Sequence, residues 1–544
     1  MSTFAGSWSL LRLAWRRDRW VVTASVAALV LTAWSSMAAT LDLYPTDAEA
    51  AAGARVMADN PSITALYGPL PSLTAAAVGV LKTIMLGSLF TALLAFALVR
   101  RHTRTEEEEG RFELVAGGVV GRRAPLAAAV LLATAAVLAT GGLSALSLVG
   151  TGVDATGSLA LGVVEVVAGL VMVGITAVAC QLTSTARGAG GLALTTLLLA
   201  FVVRAVADTS SSPSPGTSSA GTSGGTSGGP DLAYASFLGW AERVSPFGEN
   251  RLWLVLPAVA TLAALLVVAD LLLQRRDLGS GLWAARPGPA HASALLGSPL
   301  GLAWRLQRGA LVGWTTGYAV LGLVVGSIAR SVDQIASSPG IEEMFRKMSG
   351  GQGTLLEVFF GTEIRFLAVG AAAYGIATSL RLRSEEAGGR AEVALATKVS
   401  RWRWLSSHVL VAVLGSLWLL VVMGLSAGLS GGAVSDVGIA QVLPAALATA
   451  PAVLVCVALT VMLFGLVPLW ASAAWGLLAA FVLIGELGPL VSLPGWAMGL
   501  SPFDHLGSLP GGDADAAGLT GLLLVALAAG VTGYAAFRRR DLVT

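Results

Sequence analysis

The sequence predicts an all-α polytopic membrane protein with about twelve transmembrane helices, arranged as two parallel six-helix repeats. Three observations lead there. First, 55% of the 544 residues are hydrophobic and only 12% are charged; the mean hydropathy is +0.76, more apolar surface than one soluble core can hide. Second, apolar runs recur that are long enough to cross a hydrocarbon layer about 30 Å thick. Third, short motifs return in the second half of the chain in the order in which they occur in the first. The formal net charge of +2 carries little information, because a membrane protein distributes charge by loop, and no nucleic-acid partner is expected.

The chain opens on a basic stretch, Arg12, Arg16, Arg17 and Arg19, followed by an apolar run over 20–39. A cleaved signal peptide would look similar but shorter. LRLAWRRDR at 11–19 returns as LGLAWRLQR at 300–308, identical at six of nine positions, so the first run reads as a retained span. Twelve spans are expected, centred near residues 30, 88, 137, 169, 197, 263, 319, 370, 415, 452, 477 and 527. Basic residues gather at the N-terminus, after span 2 (Arg100, Arg101, Arg104, Arg111, Arg122, Arg123), after span 6 (Arg275, Arg276, Arg286), after span 8 (Arg381, Arg383, Arg390, Lys398, Arg401, Arg403) and in the tail (Arg538, Arg539, Arg540). The positive-inside rule makes that side the cytoplasm. Both termini are therefore expected inside a bacterial plasma membrane, and the acidic loop over 40–72 outside.

The segment after span 2, RTEEEEGRFELVAGGVVGRR over 104–123, is the most highly charged in the chain. Thr105 with Glu108 fits a capping box, and Glu106, Glu107, Glu108 and Glu109 load a first helical turn where the dipole favours negative charge. A shift of 279 residues places Arg104 on Arg383, Thr105 on Ser384, Glu106 and Glu107 on Glu385 and Glu386, Arg111 on Arg390 and Glu113 on Glu392. Two short acidic surface helices are thus expected, one per half. A third pair, GWAERVSPF at 239–247 and GWAMGLSPF at 495–503, precedes the last span of each half. Those spans end alike, in Arg275-Arg276-Asp277-Leu278 and Arg539-Arg540-Asp541-Leu542. The expected domains are residues 1–285 and 286–544. Residues 209–230, rich in Ser, Gly and Thr, read as a flexible connector on the outer side.

Nucleotide, metal and hydrolase motifs are missing from the sequence: there is no Walker A, no HExxH and no GxSxG. No catalytic residue, metal site or cofactor is expected in this chain. Ser349-Gly350-Gly351-Gln352 looks like an ABC ATPase signature but falls on the predicted outer face, outside any nucleotide-binding domain. Cys180 and Cys456 lie in apolar runs and read as buried thiols. Ionisable residues within spans cost at least ~2.5–3.5 kcal/mol each on insertion scales, which singles out Lys82, Glu165, Arg204, Glu363, Arg365 and Glu486. Arg204 and Asp208 have ion-pair spacing on one helix. Lys82 and Glu363 fall at similar positions of equivalent spans, so pairing across a central seam stands beside snorkelling to the interface. Trp15, Trp20, Trp304, Trp402 and Trp404 fall at predicted boundaries, as interface anchors do.

Six spans per unit, an acidic segment between spans 2 and 3 and an SPF segment before span 6 resemble the type 2 ABC exporter permeases. The double-length form, with LAWRRDR, EEEEGRFELVAGG and paired SPF segments, is similar to the fused permeases of polyketide-antibiotic exporters. The resemblance implies that the segment after span 2 of each half is a coupling helix. Thr105, Glu106–Glu109, Arg111 and Glu113 would contact one ATPase subunit, and Ser384, Glu385, Glu386, Arg390 and Glu392 a second. Those two partner ATPases would bind ATP and Mg²⁺, and the exported compound would be amphipathic or lipid-like. Two other classes stay open. An ion-coupled secondary transporter also accommodates six plus six spans, although four consecutive glutamates after span 2 are unlike its usual basic loop. A membrane-embedded lipid-modifying scaffold would need a convergent catalytic set in its outer loops.

Overall fold

The computed structural model describes residues 3–542 except 59–63, 65, 112–117, 119, 211–231, 278, 284–289, 337–353, 488–493, 508 and 513–514. The described residues form helices and connecting turns, with no strand among them. The chain divides into two compact units, Met1–Gly288 and Pro289–Thr544; the sequence predicts the boundary after residue 285. The first unit contains α1 (Ser7–Leu43), α2 (Ala75–Arg100), α3 (Ala124–Val149), α4 (Ala155–Leu182), α5 (Ala186–Ser210) and α6 (Val255–Arg275). The second contains α7 (Pro299–Ala336), α8 (Leu355–Ser379), α9 (Arg401–Gly432), α10 (Ile439–Leu466), α11 (Ala473–Leu487) and α12 (Ala516–Arg539). Every one of the twelve expected centres falls inside one of these helices. Among the described residues, ten helices are long and apolar enough to cross a membrane. The other two are α8, which carries Glu357, Glu363 and Arg365, and α11, which has only 15 residues.

Within each unit the same helices touch. In the first, α4 is the core helix and packs on α2, α3 and α6, while α1 lies against α2 and α3. In the second, α10 packs on α8, α9 and α12, and α7 lies against α8 and α9. Small residues set these contacts. A Cβ on Gly141 of α3 would stand 2.4 Å from the Gly162 carbonyl oxygen of α4, and one on Gly162 would stand 2.4 Å from the Gly141 carbonyl. A Cβ on Gly465 of α10 would stand 2.2 Å from the Gly533 carbonyl oxygen of α12, and one on Gly533 would stand 2.6 Å from the Val461 carbonyl oxygen. In lipid, where apolar burial gives no drive for helices to associate, such backbone approach is what holds them together. Leucine, valine and tryptophan side chains such as Leu146, Leu256, Leu271 and Trp253 remain exposed, on a surface suited to hydrocarbon. Residue Thr449 separates two segments of α10, Ile439–Ala448 and Ala450–Leu466, where Pro444 and Pro451 withhold N–H donors.

The SPF motifs are tight corners. Ser245 and Phe247 both have positive φ, and the Asn250 side chain accepts the Phe247 N–H at 2.9 Å. The Phe247 ring lies on Gly157 at the start of α4, where a Cβ would be 2.3 Å from it. In the second unit Ser501, Pro502 and Phe503 are all buried. One expected anchor is misplaced: Trp404 is 4% exposed and stacks on Phe537 at 5.6 Å, because α9 and α12 meet there. The other four tryptophans are exposed. Cys180 and Cys456 are buried free thiols. The Ser349–Gln352 segment and nearly all of 209–230 lie outside the described residues.

Adjacent glycines make the packing claim testable. Gly141→Ala should lower stability by about 1–3 kcal/mol, the usual cost of overpacking. Gly142→Ala, with nothing within 4 Å of its added Cβ, should be neutral or stabilising. Thermal unfolding of the detergent-purified protein, followed by tryptophan fluorescence, separates the two.

Candidate functional site

The acidic segment is not a separate capped surface helix. The backbone of α2 continues through a π-helical turn, Arg101–Thr105, directly into Glu106–Glu108. Thr105 has helical φ and ψ and its side chain makes no cap bond. The capping-box expectation fails because the helix never restarts: there are no orphan N–H donors to satisfy. Ser384, its counterpart, sits inside the helix Arg381–Ala387, its Oγ donating to the Arg381 carbonyl at 2.9 Å.

Both units then turn through the same elbow. Glu106–Glu108 ends at Gly110, φ +71°, and Arg381–Ala387 ends at Gly389, φ +69°. The two glycines are related by the 279-residue shift, and both adopt a backbone conformation that L side chains rarely take. Beyond the glycine of the second unit, Arg390–Leu395 forms a second short helix. Arg390 Nε reaches back across the glycine to Glu385 at 2.8 Å; Arg111 does the same to Glu106 at 3.5 Å.

A second pair ties each elbow to the last helix of its unit. Arg276, just past α6, grips Glu107 with both guanidinium nitrogens, at 2.5 and 2.9 Å. Arg540, just past α12, grips Glu386 likewise, at 2.6 and 2.7 Å. All four side chains are nearly buried, between 4% and 14% exposed, so these are bidentate, partly desolvated ion pairs of the strong kind. A third contact completes the joint. Arg122 at the start of α3 donates to the carbonyl of Arg276, and Arg401 at the start of α9 donates to that of Arg540 at 2.6 Å. Arg122 and Arg401 are again 279 residues apart. In the sequence these arginines read only as topology markers, and the RRDL ends only as a repeat. Their joining is missed there, although the matched register of Glu107 with Glu386 and of Arg276 with Arg540 is the signal that could have found it.

Support around the pairs differs. Glu107 also accepts from the Gly279 N–H at 2.7 Å and from Arg104 at 2.7 Å, and Arg276 Nε donates to Gln181 at 2.8 Å. Arg540 instead lies over the rings of Phe464 and Phe537, at 5.0 and 5.1 Å. Other members of the predicted set face their own chain as well. Glu108 accepts the Ala186 N–H at the start of α5 at 2.6 Å, Glu106 pairs with Arg17 of α1, and Glu109 pairs with Arg111 at 3.0 Å. Glu108, Glu109, Arg111, Ser384, Arg390 and Glu392 are exposed. Glu113 lies outside the described residues.

The intramembrane candidates separate. Arg204, wholly buried, contacts Asp208 at 3.6 Å and Glu242 at 3.1 Å, while Arg243 contacts Asp208 at 3.3 Å. The pair expected from its spacing is thus part of a largely buried four-residue network at the non-basic end. There burial pushes the Glu242 carboxyl up, against the opposing pull of Arg204. Lys82 is exposed; Glu363 is half-buried and engaged with other groups. Arg365 donates to the Gly507 carbonyl at 2.6 Å. Glu165 is completely buried, and the side chain of Glu486 lies outside the described residues. Between α1 and α3 runs an apolar groove of about 920 Å³, lined by Val22, Val26, Val30, Leu132 and Leu143 among others.

The whole chain has a counterpart among known proteins. It is 40% identical over 552 residues to the multidrug efflux system permease protein Rv1217c of Mycobacterium tuberculosis, a match covering 99% of this chain and 96% of the relative. This chain belongs to the multidrug efflux system permease family. The family description "Multidrug efflux system permease Rv1217c, C-terminal domain" matches residues 296–538, a range that contains the second elbow and Glu386 but stops just short of Arg540. The molecule is therefore a multi-pass membrane efflux permease, a transport protein, and its two elbows are the matched features to explain.

Removing one partner of a buried ion pair leaves the other uncompensated and costs about 3 kcal/mol. Glu107→Ala should accordingly raise amide hydrogen exchange over 103–111 by about a hundredfold, leaving 382–391 unaffected. Glu386→Ala should do the reverse, since the two joints share no partner.

Proposed function

We propose that the permease is the membrane subunit of an ATP-driven exporter. It moves amphipathic or hydrophobic compounds (antibiotic, drug or lipid-like) out of a bacterial cell by alternating access. The sequence carries no nucleotide-binding motif, so energy from ATP would have to enter from a partner. The observation that carries this reading is the duplicated elbow: two charged turns, each tied by a glutamate–arginine pair to the last helix of its unit, at matched positions on the basic end of each unit. The resemblance to type 2 exporter permeases points the same way, as does the multidrug efflux name of the relative. Two ATPase subunits, binding ATP and Mg²⁺ themselves, would each dock on one elbow. Both termini and both elbows would then be cytoplasmic. The apolar groove in the first unit suits an amphipathic guest.

The intramolecular pairs divide the labour among the acidic residues. Glu107, Glu385 and Glu386 hold each elbow in shape and to its unit, whereas Glu109, Arg111, Ser384, Arg390 and Glu392 present the surface a partner meets. A push on either elbow would pass through Glu107–Arg276 or Glu386–Arg540 into α6 or α12, and through α2 or α8 into the core of the unit.

Charge reversal at outward positions that do not brace the elbow tests this. Glu109→Lys combined with Glu392→Lys should preserve membrane insertion but weaken assembly with the ATPase or uncouple drug-stimulated ATP turnover from export, about tenfold or more for lost interfacial ion pairs. Mass measurement of the unaltered complex should give one permease chain with two ATPase subunits. A complete set of reversals with assembly, turnover and export unchanged would contradict the proposal.

A further inference from the structure

Glu165 lies in the middle of α4, the core helix of the first unit, and none of its surface is exposed. Neither carboxyl oxygen has a hydrogen-bond partner among the described residues. Its niche is built by its neighbours. Gly87 of α2 faces it so closely that a Cβ there would stand 2.9 Å from Glu165 Oε1. Ser144 of α3 bears on the carboxyl but falls outside hydrogen-bonding geometry, and its own Oγ is likewise unpartnered and buried. Thr91, one turn along α2 from Gly87, packs on Gly169, one turn along α4 from Glu165, and its Oγ is unpartnered as well.

No cation among the described residues balances this group. Among the elements packed on α4, α3 has no ionisable residue and α2 has Lys82, which is exposed, with Arg100 at its far end over Phe96. On α5, Arg187 is exposed at one end, while Arg204 and Asp208 belong to the network with Glu242 and Arg243 at the other. On α6, Asp270 pairs with Arg123, and Arg275 is at its end. An isolated carboxylate in so apolar a place is far too costly to persist, whereas the neutral acid bears only the cost of an unmade hydrogen bond.

We propose that Glu165 is a proton-binding site within the membrane part of the permease, one per chain. It holds a proton while α2, α3 and α4 are packed together, and releases it when these helices part. On release the carboxyl O–H bond breaks, its electron pair stays on the carboxylate, and the proton passes to entering water; repacking reverses the step. The site has no counterpart in the second unit, because α10, which takes the place of α4, contains no Asp or Glu. Proton exchange here is distinct from docking at the elbows and does not depend on an ATPase partner.

Dicyclohexylcarbodiimide, an apolar reagent that adds to protonated carboxyls, tests the site on the full-length protein in membranes. Near neutral pH, mass spectrometry should find an adduct on the peptide containing Glu165, and its yield should fall about tenfold per pH unit once the acid deprotonates. Infrared difference spectra provide a second readout that needs no reagent access. The C=O stretch of a protonated acid should be present in the unaltered protein near neutral pH and absent from Glu165→Gln, which as a neutral near-isostere should fold normally. Failure of the stretch to differ between the two proteins would overturn the proposal, whatever the carbodiimide result. An adduct yield independent of pH would overturn the exchange step. Neither result bears on ATPase coupling, which stands or falls with the elbow substitutions.

Discussion

Each half of this permease depends on one ion pair, a glutamate in the elbow after its second helix held by an arginine just past its last. The pair works because three geometric conditions meet. The π-helical turn carries α2 past the apolar zone without a break, so Glu107 is fixed relative to the core. The last helix ends in an arginine whose planar fork matches the carboxylate with two parallel bonds. A further arginine, Arg122 or Arg401, holds the last carbonyls of that helix and fixes the direction of the fork. Without the joint, Glu107 or Glu386 would be left buried with its charge uncompensated, and the elbow would lose its tie to the last helix of its unit.

The joint also accounts for how the two halves have diverged. In the first, polar partners surround the pair: Arg104, the Gly279 N–H and Gln181. In the second, Arg540 rests on Phe464 and Phe537, and Glu385 is shared by Arg381 and Arg390. The carboxylate–guanidinium contact persists while its support is replaced, as expected if the joint itself is the essential element and its surroundings only have to desolvate it. The other polar features are private to one half. The Arg204–Glu242–Asp208–Arg243 network and Glu165 belong to the first alone: Met498 and Gly499 stand where the first GWA motif has Glu242 and Arg243.

Much of this was legible in the sequence. Apolar runs located the helices, because a membrane demands long uninterrupted ones, and the 279-residue register found the elbows. Three features were not legible. A capping box at Thr105 is a local signal, and it lost to the continuation of α2, a tertiary outcome that spacing does not encode. The clamp joins residues 169 positions apart in the first half and 154 in the second, so only the fold shows that the RRDL repeat and the acidic repeat are two sides of one contact. Trp404 failed as an anchor for the same reason: its neighbours come from α12, not from the interface.

The central claim is that each elbow moves as one body with the last helix of its half. Pulsed electron resonance distances between spin labels at Glu109 and Arg275, and between labels at Glu392 and Arg539, test it directly. They would be recorded in the permease assembled with the proposed ATPase, without nucleotide and in a trapped, ATP-bound state. The account predicts that each distance distribution keeps its mean and width between the two states, even as distances within the transmembrane helices change. A shift of several ångströms, or a marked broadening, on nucleotide binding would show that the elbows swing free of α6 and α12 and would contradict the account.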